Sequence, residues 1–266
     1  MDVRGSRVLV TGASTGIGAA LAVALGRAGA TVGLVARRGE LLDEVLEQAV
    51  QAGAGPDSRR WAVDLADLPA ATRVAGQAWD AFGGVDAFVS NAALIRRRSA
   101  LRLQAAELDE HMTVNFLAPA HMSLALLPRM LERGSGTLVM VGSVAGRICA
   151  PSEVSYVSSK YALAGFAEAL AVDTAGTGIT VRLVTPGPFD TPIWGVKDDE
   201  PTHYAGTKHP PSMAADAIVE ALRGDGPFET FVPPSVADTV ALKHADLDAW
   251  ISMAAAMGRA APASAG

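Results

Sequence analysis

Thr11-Gly12-Ala13-Ser14-Thr15-Gly16-Ile17-Gly18 is the stretch whose reading decides the fold. Before it runs Arg7-Val8-Leu9-Val10, short and apolar. After it comes an Ala/Leu-rich, proline-free stretch from Ile17 to Ala28, followed by Gly29. The first is a buried strand, and the second is a helix closed by a glycine. Small residues between them let the backbone approach a ligand closely, and the helix N-terminus offers free N–H groups to an anion. That arrangement suits a dinucleotide phosphate at the carboxyl end of a parallel strand, cradled by Gly12, Ser14, Thr15, Gly16, Ile17 and Gly18. The glycines fall at 12, 16 and 18, not at the common G-x-G-x-x-G spacing, so a turn needed only for packing is the plainer alternative.

Outward from this loop the chain keeps alternating. Strands are expected at Thr31–Val35, Trp61–Val63, Val85–Ser90, Thr137–Val141 and Ile179–Val184. Helices are expected at Glu40–Ala52, where Leu41, Leu42, Val45, Leu46 and Ala49 share a face, and at Pro69–Phe82 and Ser155–Thr174. Leu108–Leu131 is a long helical stretch containing Asn115, Pro119 and Pro128, which predicts a kink. Six apolar runs separated by helices make an α/β protein with a doubly wound parallel sheet covered on both faces. Residues 188–211 hold five Pro and two Gly and read as a mobile substrate loop. Ala214–Leu222 returns to helix, Glu229–Val232 supplies a seventh strand, and Val236–Met257 reads as one helix stopping at Gly258. The expected organisation is one domain over 1–258 and a disordered tail over 259–266.

Composition narrows the function. The chain has 266 residues, 50% of them hydrophobic, so disorder is excluded as its main state. A single cysteine, Cys149, leaves no disulfide scaffold and no cysteine zinc cluster. A net charge of −6 gives no basic footprint for nucleic acid. No uncharged apolar run reaches the roughly 18 residues of a membrane span, and the first residues lack a signal-peptide core. The expectation is a soluble cytoplasmic protein. None of the five histidines falls at a metal-binding spacing, so no metal is proposed.

Two further places carry chemistry. The second strand ends Val35-Ala36-Arg37-Arg38, with no acid before Glu40. An acid there would accept from a ribose 2′-hydroxyl; Arg37 would instead pair with a 2′-phosphate. NADP(H) is therefore expected, with NAD(H) as the alternative. Tyr156-Val157-Ser158-Ser159-Lys160 puts Tyr and Lys at i and i+4 on a helix, where an ammonium would lower the phenol pKa towards useful acid–base work. Only three Tyr and four Lys occur, yet Tyr204 and Lys208 repeat the spacing, so context must separate the pairs. A glycine between them and prolines at 201 and 210 make the second segment poor helix. Ser143, at the end of the fifth strand, could donate to the same substrate oxygen as Tyr156. Asn115 could hold a water linking Lys160 to solvent, or simply bond nearby backbone. Phe189, Ile193 and Trp194 could cap an apolar pocket. Arg96-Arg97-Arg98 reads as a solvated surface run, and Cys149 as packing.

As a set, these residues resemble the short-chain dehydrogenase/reductase family. The match is Thr11-Gly12-xxx-Gly16-x-Gly18, Asp64-Leu65, Asn91-Ala92, Asn115, Ser143, Tyr156-xxx-Lys160 and Pro186-Gly187, over roughly residues 6 to 192. The resemblance implies a Rossmann-type fold with a seven-stranded parallel sheet, and often a homotetramer built on the long central helices. It implies that Asp64 and Leu65 flank the adenine and that Asn91, with Ala92, lies beside the cofactor. Pro186, Gly187 and Thr191 would face its nicotinamide end. Asn115, Ser143, Tyr156 and Lys160 map onto the family's catalytic four, Lys160 also bonding the nicotinamide ribose. The chain departs from the family in having Ser90-Asn91-Ala92-Ala93 where Asn-Asn-Ala-Gly is usual. The expected activity is carbonyl–alcohol interconversion by hydride transfer. A nucleotide-sensing protein on the same fold is the alternative from another class.

Overall fold

In the computed structural model, which describes residues 1–196 and 198–260, seven parallel strands form one sheet. They are β1 (Arg7–Thr11), β2 (Thr31–Ala36), β3 (Arg59–Ala62), β4 (Ala87–Ser90), β5 (Gly136–Val141), β6 (Ile179–Pro186) and β7 (Glu229–Val232). Their order is β3-β2-β1-β4-β5-β6-β7, with Val8 opposite Val32 on one side and Ala87 on the other. The direction of winding reverses between β1 and β4. A crevice opens there at the carboxyl ends, where doubly wound sheets bind ligands.

Alternation along the strands divides the core. In β1, Val8 and Val10 face one layer and Leu9 the other, the period of two that a pleated strand imposes. The first layer is α1 (Gly16–Arg27), α2 (Gly39–Gln51) and α7 (Pro211–Arg223), which bury Leu21, Leu25, Leu42, Ile218 and Leu222. The second is α3 (Leu68–Phe82), α5 (Ala118–Arg133) and α6 (Val154–Asp173), which bury Val74, Met122, Leu126, Leu163 and Ala167.

The structure departs from the sequence reading in three informative places. The long stretch after β4 is not a single helix. It is α4 (Ala105–Met112), a π-helical turn over Thr113–Leu117 and α5. The widened turn closes with Ala118 N–H on the Thr113 carbonyl, and Asn115 sits buried inside it. The expected C-terminal helix is two, α8 (Val236–Ala245) and α9 (Leu247–Ala260). Asp246 between them is extended, and its carboxylate accepts from Ala249 N–H at 2.8 Å, starting a new helix rather than continuing the old one. α9 runs through Gly258. Residues 261–266 of the expected tail lie outside the described residues. Finally, β3 begins at Arg59, two residues early. It is an edge strand, where charged side chains can point to solvent. No helix among the described residues is long and apolar enough to cross a membrane.

Candidate active site

The carboxyl ends of β1 and β4 are sewn together at the switch point. Thr11 Oγ1 accepts from the N–H groups of Asn91 (3.1 Å) and Ala92 (3.2 Å), and Asn91 Nδ2 donates to the Thr11 carbonyl at 3.0 Å. The glycine loop turns away from this seam with Gly12 at φ +66° and Gly16 at φ +57°, left-handed conformations that favour glycine. It delivers the chain to the N-terminus of α1, where Gly16 and Ile17 line the crevice. The family's usual glycine after Asn-Ala is replaced by Ala93. The residue has no positive φ and is exposed, so its methyl group is accommodated without strain.

A cavity of about 870 Å³ extends from this cradle to α9. Of the residues expected to hold a cofactor, Ser14, Thr15, Gly16, Ile17, Arg37, Asp64, Leu65, Asn91, Pro186, Gly187 and Thr191 all line it, as do Gly12 and Ala92. Gly18 and Asn115 lie behind its wall. The glycine cradle suits the phosphates of a dinucleotide, and the basic pair Arg37-Arg38 stands at the end of β2 beside it. Arg37 is exposed at that end. Its neighbour Arg38 reaches back, with Nη2 at 3.3 Å from Ser14 Oγ and 3.2 Å from Thr15 Oγ1. Arg38 was missed because two adjacent arginines give no sign of which one turns inward. Thr191 packs against Gly16, so the loop after β6 closes on the glycine loop.

At the other end, Tyr156, Lys160 and Ser143 converge. Tyr156 packs among Ile95, Ala145, Val157, Ile193 and Val196. Lys160, 1% exposed, donates to the Val141 carbonyl at 3.0 Å, with Nζ 5.9 Å from the Tyr156 ring centre. Burial dominates both groups. It pushes the phenol up to about 12 against the opposing influence of the Ser143 hydroxyl, and it lowers the ammonium to about 8. The expected lowering of the phenol by Lys160 is therefore not what the protein's own groups produce. Lys160 is turned to a backbone carbonyl, and desolvation of the phenolate outweighs the charges nearby. The competing pair behaves as its context foretold. Residues 201–209 form no helix, Tyr204 donates to the Thr207 carbonyl, and Lys208 lies over Trp194.

Asn115 is fully engaged. Its Oδ1 accepts from Leu94 N–H at 2.7 Å, and its Nδ2 donates to the Leu94 carbonyl and to Ser159 Oγ. One turn earlier, His111 Nδ1 lies 2.6 Å from the Glu107 carbonyl and Nε2 accepts from Arg96 N–H at 2.9 Å. A carbonyl can only accept, so the proton is on Nδ1 and the ring is neutral. One side chain from α4 and one from the π-helical turn thus pin the loop after β4, and that loop places Ile95 and Arg97 beside Tyr156. Burial holds the His111 pKa below its ordinary 6.5. The unfolded chain therefore binds the proton first. The stability this ring contributes is present above pH 6.5 and is lost as pH falls towards the depressed folded pKa. The loss of Tm below pH 6.5 should accordingly be shallower in His111→Gln than in the wild type; parallel curves would reject this account.

The arginine run is not a solvated face. Arg97 is 2% exposed, and Arg96 and Arg98 pair with Glu110 and Glu107. The apolar end of the cavity is formed by Phe189, Ile193 and Trp194, as expected, together with Trp250, Met253 and Met257 of α9. Among the described residues no group of three or more His, Cys, Asp or Glu side chains is placed to hold a metal.

The short chain dehydrogenase family model matches residues 6–202. A short chain dehydrogenase of Pseudocercospora fijiensis is 36% identical over 201 residues, 74% of this chain; the chain spans 64% of that relative's own length. Among solved structures, a short-chain dehydrogenase from Streptomyces avermitilis is 30% identical with a TM-score of 0.81, covering 96% of this chain and 98% of its own. One from Burkholderia cenocepacia in complex with NADP is 26% identical with a TM-score of 0.80, covering 96% and 99%. A Burkholderia phymatum structure in complex with NAD, 23% identical with a TM-score of 0.84 over 94% and 96%, shares the fold.

Proposed function

The chain belongs to the short-chain dehydrogenase/reductase family, and on that premise we propose that it is an NADP(H)-dependent oxidoreductase interconverting a carbonyl and an alcohol. The observation that carries this reading is the meeting of Tyr156, Lys160 and Ser143 on the same cavity as the glycine cradle. In the reducing direction the hydride for the carbonyl carbon would come from a reduced nicotinamide when one is bound. The chain's own residues do the rest. Ser143 donates to the carbonyl oxygen and fixes it beside Tyr156. Tyr156, protonated at pH 7 as an ordinary phenol is and kept so by burial, gives that oxygen its proton and is left as phenolate. Lys160, whose ammonium rests on the Val141 carbonyl, would hold the nicotinamide ribose, and from there its charge would bear on the developing phenolate. Asn115 contributes by holding the loop after β4 in place, its amide group being fully engaged with Leu94 and Ser159.

NADP(H) is favoured over NAD(H) by the basic end of β2 and by the want of an acid there. Arg37 and Arg38 would both face a 2′-phosphate. A charge-assisted hydrogen bond is worth about 1.5–3 kcal/mol, which corresponds to about ten- to a hundredfold in affinity. Arg37→Asp should therefore raise the NADP⁺ Michaelis constant by that order, and Arg38→Asp should act alike, with the NAD⁺ constant little changed. An unaltered preference in both variants rejects the assignment. Cofactor binding without turnover across a broad ketone and alcohol panel would instead support a nucleotide sensor. The wider reading is a cytoplasmic homo-oligomer associating through α5 and α6, which leave Leu124, Leu131 and Val172 exposed. Light scattering tests the oligomer.

A further inference from the structure

Arg97 is the largest fully buried side chain among the described residues, and nothing in the chemistry above uses it. It sits in the loop after β4 and lines the same cavity as Tyr156. Its Nε donates to Glu153 Oε1 at 3.2 Å and its Nη1 to Asp199 Oδ2 at 3.3 Å. Its guanidinium lies over Trp194, 4.9 Å from the ring centre. Its carbonyl accepts from Glu200 N–H at 2.9 Å, and next door Arg98 N–H donates to the Ser152 carbonyl at 2.7 Å. Glu153 is the residue just before α6, three positions and so about one turn before Tyr156. One buried cation therefore ties together the loop after β4, the start of the Tyr156 helix and the substrate loop.

We propose that Arg97 is a positioning residue for the reaction, neutralising Glu153 beside Tyr156 so that the phenol can exchange its proton. The proposal rests on Tyr156 as acid/base. Lone carboxylates are not held this deep without a partner, because desolvation disfavours their charge. Burial does push the Glu153 and Asp199 carboxyls up from their ordinary range. With Arg97 in place the Glu153 charge is answered. Without it, a negative charge one helical turn from the phenol opposes formation of the phenolate. The other groups facing Tyr156 are Ser143 from the end of β5 and Lys160 from α6 itself. His203 and His209 of the substrate loop line the same cavity, and Asp199 lies behind Arg97. Arg97 is paired with two acids, Glu153 and Asp199, and of the two it is Glu153 that stands at the entrance to the Tyr156 helix.

The signs provide the test. The rising limb that leads kcat/KM for alcohol oxidation towards its plateau is followed at saturating NADP⁺ in the wild type, Arg97→Gln, Glu153→Gln and the double variant, and the movement of the plateau is read from the displacement of that limb along the pH axis. NADP⁺ affinity is followed in parallel by fluorescence titration. Arg97→Gln should move the plateau up, by about one pH unit for a neighbouring charge left unanswered. Glu153→Gln should move it down, the double variant should return it towards wild type, and NADP⁺ affinity should stay unchanged. A residue that merely holds the loop would lower the rate in both single variants without opposite shifts, and that outcome overturns the proposal. Should Arg97→Gln fail to fold, Arg97→Lys, which keeps the charge, should keep the wild-type plateau, and the downward shift in Glu153→Gln still decides. Tyr156→Phe is run alongside. If it remains active, the acid/base reading fails and this inference with it. If it is inactive while Arg97→Gln and Glu153→Gln leave the plateau unmoved, this inference fails alone.

Discussion

Replacing Tyr156 by phenylalanine is expected to lower kcat for carbonyl reduction by roughly 10²- to 10⁴-fold, the usual contribution of a positioned general acid, and to leave NADPH binding near wild type. The substitution is clean because the ring stays. Tyr156 is buried between Ile95 and Ala145, and phenylalanine fills the same space and leaves no cavity. The hydroxyl it removes supports no fold contact that another residue depends on, since Ser143 Oγ still accepts from Ala145 N–H. Steady-state rates give the first quantity, and NADPH fluorescence titration gives the second. Turnover within a few fold of wild type would remove Tyr156 from the role.

A companion test uses pH. Burial holds the Lys160 ammonium at about 8, so its charge fades as pH rises past 8 and the rate of reduction should fall with it. Stability should not fall for the same reason. In the folded protein Lys160 gives up its proton at about 8, whereas the unfolded chain keeps it to 10.5, so the cost of burying the ammonium is relieved between those values. A rate that falls above pH 8 while Tm holds would point to Lys160 rather than to unfolding.

Why some of this was legible in the sequence, and some not, has physical reasons. The parallel sheet was readable because its strands are buried on both faces and so appear as unbroken apolar runs, as Val8-Leu9-Val10 does. β3 was placed two residues late for the same reason: an edge strand need not be apolar, and Arg59-Arg60 concealed it. The glycine cradle was readable because a tight turn before a helix demands residue types that nothing else requires. Arg97 was not, because burial of a charge depends on partners distant in the chain. Its two acids come from positions 153 and 199, and no local pattern in Arg96-Arg97-Arg98 distinguishes the middle residue. The π-helical turn was half readable. Proline signalled a break in the helix, but the extra residue per turn that buries Asn115 has no composition of its own. The phenol's direction of shift was misread because a charge four residues away is visible in sequence, while the desolvation that outweighs it belongs to the assembled core.

The glycine loop allows a prediction in which two forces of known sign compete. Gly18 and Gly76 are both helical glycines, in α1 and α3, and alanine is the better helix former by roughly 0.5–1 kcal/mol. At Gly76 nothing lies within 4 Å of an added Cβ, so Gly76→Ala should raise stability slightly. At Gly18 an added Cβ would fall 2.2 Å from the Gly12 carbonyl oxygen and 2.6 Å from Asn91 Nδ2. Neither neighbour can give way cheaply. The first is backbone in a left-handed turn, and the second is held by its bonds to the Thr11 and Gly12 carbonyls. Relief of the clash must push the glycine loop off the end of β4, which opens the seam that shapes the cradle. Overpacking of this kind costs about 1–3 kcal/mol, more than helix propensity returns. Gly18→Ala should therefore lower Tm and weaken NADPH binding at least about tenfold, the loss equivalent to 1.4 kcal/mol, while Gly76→Ala does neither. If Gly18→Ala binds NADPH and melts as Gly76→Ala does, the close approach of Gly18 to Gly12 is not what forms the cradle.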